Sequence, residues 1–84
     1  MRDYENLYAT ALHQKLKEKI IGKVYVKITT KDVLHIDITS KGDIKFNMDF
    51  DGFSKMFING WSTDRAADEV YRAYKEFIFK TFFV

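Results

Sequence analysis

Apolar residues near the start of the chain recur every three or four positions, which is the spacing of one helix face. This pattern predicts a first long helix over about residues 3–21, ended by Gly22. The same spacing returns near the end of the chain and predicts a second long helix over about residues 63–82, with a cap within Ser62–Asp64. The apolar positions are Tyr4, Leu7, Tyr8, Ala11, Leu12, Leu16 and Ile20 in the first helix, and Ala67, Val70, Tyr71, Tyr74, Phe77, Ile78 and Phe82 in the last.

Between the two helical segments the period of the apolar residues changes to two. Alternation of this kind is typical of strands with one face buried and the other in water. Three such runs, separated by short polar stretches, predict an antiparallel meander of three strands. The residues predicted to face inward are Val24, Val26, Ile28, Leu34, Ile36, Ile38, Ile44, Phe46, Met48 and Phe50.

The lengths of the two turns follow from the alternation of inward and outward side chains along the strands. Inward residues must stand opposite inward residues, so each turn has an odd number of residues. The first turn is predicted as Thr30–Asp32, which sets Tyr25 opposite Asp37. The second is predicted as Ser40–Gly42, because glycine suits the positive φ of a type I turn with a bulge. This second turn sets Asp37 opposite Lys45.

The segment over residues 51–60 fits two interpretations. Phe53, Met56 and Phe57 have the spacing of a short helix. Phe53, Lys55 and Phe57 have the spacing of a fourth strand. We favour the helix and keep the strand as the alternative.

Residues 1–84 form one domain, because a chain of this length cannot support two independent cores. The element order is α-β-β-β-(short α)-α, with one apolar sheet face and two amphipathic helices to cover it. The predicted fold is therefore α+β, a two-layer sandwich with both main helices on one face of a three-stranded antiparallel meander.

The amino-acid composition excludes several kinds of site and structure. The sequence has no cysteine, which excludes disulfides and zinc sites built from thiolates. No apolar run is long enough to span a bilayer, and the first residues are charged, so we expect a cytoplasmic protein. The net charge is +2, a weak basic bias. Lysine supplies most of the cations, a bias typical of AT-rich genomes, which suggests a low-GC bacterium or one of its phages.

The most informative functional feature is the run of aromatic residues at the end of the chain. On a helix, Phe79 and Phe83 fall off the core-facing stripe, and small domains seldom place two such rings in water. A homodimer or another protein partner is expected to cover them, unless the sheet covers them or the last residues fold back. Trp61 either joins this patch or plugs the core beside a turn. The predicted protein interface is Trp61, Phe79, Phe82, Phe83 and Val84.

The alternative partner is a nucleic acid, suggested by lysines that follow one another along the first helix and first strand. Basic groups that flank an aromatic ring on a sheet can stack bases and hold phosphates. Asp37, opposite Tyr25, would repel a phosphate backbone. The candidate contacts are Lys15, Lys19, Lys23, Lys27 and Lys31.

His35 and Asp37 lie two residues apart on the outer sheet face, near Asn47 and Asp49. Such a pair can act as a base with an orienting carboxylate or as part of a metal site. A single histidine on an open sheet face is a weak signal, so we predict no enzyme, no catalytic or metal residue and no cofactor. The predicted function is that of a small accessory or adaptor protein that acts through protein contacts.

The order α-β-β-β-α resembles that of the double-stranded RNA-binding domain, which has a similar length. In that family the second helix opens with lysines that contact phosphates. The matching segment here, residues 62–69, carries three acids and one arginine. The resemblance is therefore one of topology and implies no RNA-binding activity.

Overall fold

The computed structural model describes residues 2–83 and the side chains of residues 4–82. It has the predicted α+β architecture, with a three-stranded antiparallel sheet in the order β1-β2-β3. Residues 53–58 form a short helix, which decides between the two interpretations of that segment. The elements are α1 (Arg2–Lys19), β1 (Gly22–Ile28), β2 (Val33–Ser40), β3 (Ile44–Asp51), α2 (Phe53–Ile58) and α3 (Thr63–Phe83).

The core lies between one sheet face and the two long helices. The central strand β2 buries its inward side chains completely, whereas those of the edge strands β1 and β3 are half-buried. The alternation of apolar and polar residues along each strand therefore predicted the buried face of the sheet correctly. The largest fully buried side chains are Leu12, Leu16, Leu34, Ile36, Ile38 and Val70.

The first turn has the predicted register, with Tyr25 opposite Asp37. The predicted register of the second turn is wrong by two residues: Asp37 stands opposite Asn47, not Lys45. The parity is kept, because a shift of two leaves every side chain on its own face. Ser40 extends β2 by pairing with Ile44, and its buried hydroxyl donates to the Ile44 carbonyl oxygen at 3.2 Å.

The two long helices run in the same direction and are offset along it. Lys15 of α1 pairs with Asp64 of α3 at 2.5 Å, and Lys19, the last residue of α1, lies 3.8 Å from Asp68. Lys19 also faces the ring of Tyr71. The part of α3 after Tyr71, about 18 Å at 1.5 Å per residue, therefore continues beyond the end of α1.

Three side chains predicted to face the core are exposed: Tyr4, Leu7 and Phe82. Phe46, near the start of β3, is covered by Tyr74 and Phe77, at ring-centroid distances of 5.8 and 5.2 Å. Phe82 lies more than one turn past this contact, where the sheet no longer faces α3. Tyr4 and Leu7 belong to the first turns of α1, at the opposite end of a molecule 41 Å long.

The short helix α2 is fixed to the turn between β1 and β2. Asp32 accepts hydrogen bonds from Phe53 through its main-chain oxygen, at 2.8 Å, and from Ser54 through its carboxylate, at 3.0 Å from the main-chain nitrogen and 2.8 Å from the hydroxyl. Tyr8 of α1 donates its hydroxyl to the carbonyl oxygens of Trp61 and Ser62 at 3.1 and 3.2 Å. The Tyr8 hydrogen bonds hold the connection between α2 and α3 against α1.

Candidate protein-interaction surfaces

The C-terminal end of α3 is an exposed aromatic surface. Phe79 is 60% exposed and Phe82 is 58% exposed, and residues three apart on a helix are neighbours. Phe77 and Ile78 are only half-buried on the same segment. Two of the predicted interface residues thus lie together on the part of α3 that extends beyond α1. The side chain of Phe83 and the whole of Val84 lie outside the described residues.

Trp61 lies just before the other end of α3, whose first residue, Thr63, is about 24 Å along the helix from Phe79. Its ring packs edge-on against Phe50, at 6.0 Å between centroids, and the Arg65 guanidinium lies 3.9 Å from its centroid on the ring face. A cation over an indole face is a stabilising contact. Trp61 thus packs against the core beside a turn, and the structure does not bring it together with Phe79 and Phe82.

A second apolar surface lies where the start of α1 meets α2. Tyr4 and Leu7 are exposed on α1, and Ile58 on α2 is 79% exposed. The rings of Tyr4 and Phe57 lie 6.4 Å apart and line a shallow groove of about 220 Å³. Sequence reasoning missed this surface because it assigned Tyr4 and Leu7 to the core. The adjacent Phe57 and Ile58, too many apolar residues for one short helix to bury, were the available signal.

The five candidate lysines do not form one cationic surface. Lys15 and Lys19 pair with the α3 carboxylates of Asp64 and Asp68, and the hydrogen bond that Lys15 donates to Asp64 raises the pKa of Lys15. These two lysines therefore join α1 to α3. The remaining candidates lie along the first strand and its turn.

Those three lysines accompany β1 on its outer side. Lys23 and Lys27 flank Tyr25, which is 55% exposed, and Lys31 follows in the turn. None of the three has an ion-pair partner among the side chains of residues 4–82. As predicted, Asp37 stands opposite Tyr25.

His35 is held between two carboxylates on the outer sheet face. Its Nε2 lies 2.8 Å from Asp37 Oδ2, and its Nδ1 donates to Asp49, the residue opposite it on β3. These hydrogen bonds, the one to Asp49 foremost, raise the pKa of His35. A ring whose two nitrogens both donate is the imidazolium, which has no lone pair with which to accept a proton. The arrangement therefore favours a structural clamp over a general base.

No cluster of three or more histidine, cysteine, aspartate or glutamate side chains within the described part of the chain is arranged to hold a metal ion. Over the same residues, none of the helices combines the length and the apolarity that crossing a bilayer requires.

Comparison of the chain with protein-family models, with curated proteins and with solved structures gave no match in any of the three. Function is therefore inferred from the surfaces of the molecule.

Proposed function

We propose that this protein is a small non-catalytic accessory or adaptor protein that acts through protein contacts and forms a homodimer through the C-terminal end of α3. The observation that carries the proposal is the exposure of Phe79 and Phe82 on adjacent positions of a helix segment that extends beyond α1. Large apolar rings grouped on the surface of a small domain mark an interaction site. We also propose a cytoplasmic location, with which the absence of cysteine is compatible.

A second copy of the same segment suits this surface. Glu76 and Lys80 lie one helical turn apart next to Phe79, and both are exposed. An antiparallel pair of such segments can place each acid beside a base while the phenylalanine rings pack between the helices. A two-fold contact buries the same surface on both copies, so none of that surface remains for a third copy and the assembly stops at the dimer.

Sedimentation equilibrium tests the proposal on the 10.0 kDa chain. We expect the wild type to show twice the chain mass, and the double variant Phe79→Asp with Phe82→Asp to show the monomer mass with unchanged far-ultraviolet circular dichroism. The double variant Leu7→Asp with Ile58→Asp is the matched control, because it places the same two charges on exposed apolar positions at the opposite end. A wild-type monomer at high concentration, or a double variant that still dimerises, would contradict the proposal.

Nucleic-acid binding is the alternative function, and the pairing of Lys15 and Lys19 with α3 leaves it three of its five lysines. A mobility-shift assay at low salt with mixed DNA and RNA tests it. Affinity that falls steeply with salt would support this alternative, because each phosphate contact releases counterions.

A further inference from the structure

The strand β1 lies at the edge of the sheet, and its hydrogen bonds identify the side that is free. The Thr29 amide donates to the Val33 carbonyl oxygen at 2.8 Å, so these residues form a hydrogen-bonded pair. Main-chain groups of successive residues in a strand point to opposite sides, so those of Val24, Val26 and Ile28 point away from β2. An independent contact agrees: the outward carbonyl oxygen of Val24 accepts from His13 Nε2 at 2.9 Å.

Two adjoining grooves follow this free edge between β1 and α1. One, of about 360 Å³, lies beside Val26 and is bordered on α1 by the small side chains of Ala9 and Thr10. The other, of about 640 Å³, lies beside Ile28, and Asn6 borders both. A further strand would lie about 4.8 Å from β1, and small side chains on α1 leave room for it.

The charges on the outer face of β1 indicate which kind of partner would bind at this edge. Lys23 and Lys27 project from β1 on that face, and neither has an ion-pair partner among the described side chains. On an added strand that pairs with Val26 and Ile28, one side chain would stand about 5 Å from Lys27, and the next on the same face would lie diagonal to Lys23, at about 7–8 Å. Opposite charges at such positions stabilise the pairing and like charges destabilise it. Two copies of β1 paired about Tyr25 would set Lys23 opposite Lys27, so like charges disfavour a second copy in that register.

We propose that the free edge of β1 from Val26 to Ile28 binds an extended peptide as a fourth strand, and that this peptide carries acidic side chains at every second position, facing Lys23 and Lys27. The main-chain groups of Val26 and Ile28 supply two donors and two acceptors for the bound main chain. This surface is separate from the end of α3, so the inference goes beyond the proposed self-association.

A nucleic acid fits this edge less well than a peptide does. The outward carbonyl groups of Val26 and Ile28 need donors at the spacing of a strand, which a sugar–phosphate backbone does not carry.

Fluorescence anisotropy with a labelled peptide of alternating threonine and glutamate, seven residues long, tests the charge requirement. We expect saturable binding that weakens by about tenfold in the double variant Lys23→Glu with Lys27→Glu. A peptide with lysine in place of glutamate should bind that variant better than it binds the wild type. The double variant Lys41→Glu with Lys45→Glu, which reverses two exposed lysines on the other edge strand and the turn before it, is the matched control and should leave binding unchanged.

Backbone methylation of the peptide tests the main-chain requirement on the unaltered protein. Alternate amides of a strand point to opposite sides, so methylation of the glutamate amides and methylation of the threonine amides block opposite edges. Exactly one of the two methylated peptides should lose binding. Equal binding or equal loss for both would overturn the proposal, as would tighter binding of oligothymidylate that the same double variant removes. In the double variant Phe79→Asp with Phe82→Asp, which lacks the proposed dimer contact of α3, a complex with the mass of two protein chains would overturn the proposal in favour of a second copy at β1.

Discussion

Replacing Gly22 by alanine tests the close approach of β1 to β2. Gly22 has a φ of 148° and pairs with Ser40. An added Cβ would lie 3.0 Å from the Ser40 Cα and well inside van der Waals contact with the Thr39 carbonyl oxygen. Both neighbours are main-chain atoms, so relief requires β1 to move away from β2.

Two costs add in this variant. A side chain at positive φ costs about 1–2 kcal/mol, and a forced backbone shift adds about 1–3 kcal/mol, as in overpacked cores. The lower entropy of alanine in the unfolded chain returns about 0.5 kcal/mol. We therefore expect a loss of about 2–4 kcal/mol, which for a domain of this size lowers the Tm by about 10–25 °C.

Thermal and urea unfolding, followed by circular dichroism, measure this loss. Gly60→Ala is the matched control, because Gly60 has a φ of 79° but no heavy atom within 4 Å of its added Cβ. The control therefore carries the conformational cost alone, about 1 kcal/mol. The reasoning is refuted if Gly22→Ala destabilises the protein no more than Gly60→Ala does.

Three further predictions concern the contacts that join the elements. Because the pKa of His35 is raised, the clamp's stabilisation is full below pH 6.5, the ordinary histidine value, and is lost as the pH rises through the folded pKa. NMR titration should find that pKa lowered in Asp49→Asn. Tyr8→Phe removes hydrogen bonds to two main-chain carbonyls and should cost about 1 kcal/mol in urea unfolding. A double-mutant cycle on Lys15 and Asp64 should give a favourable coupling that shrinks as sodium chloride is added.

Local pattern predicted the elements and the buried face of the sheet, because a slip of one residue would turn a whole strand over. It could not choose between registers that differ by two, so Asp37 was paired with Lys45 when its partner is Asn47. In the observed register the turn takes positive φ at both Gly42 and Asp43, and the Ser40 hydroxyl donates to the Ile44 carbonyl oxygen. A contact of this kind exists only once both strands are in place.

The candidate surfaces were predictable only in part. The exposure of Phe79 follows from its angle on the helix. The exposure of Phe82 does not, because it depends on where the sheet and α1 end in space. The free side of β1 was equally out of reach, since the sequence does not say that His13 bonds the Val24 carbonyl or that α1 lies beside that edge.

The offset between the two long helices has an electrostatic consequence. The peptide dipoles of a helix leave partial positive charge at its start and partial negative charge at its end. Because Lys19 ends α1 beside Asp68 in the second turn of α3, unlike poles of the two backbones are neighbours. If α3 slid alongside α1 so that Phe82 became buried, the two helices would lie start beside start and end beside end, with like poles adjacent. This movement would also separate Lys15 from Asp64. Charges at one end of α3 thus favour the offset that leaves the aromatic surface exposed at the other end.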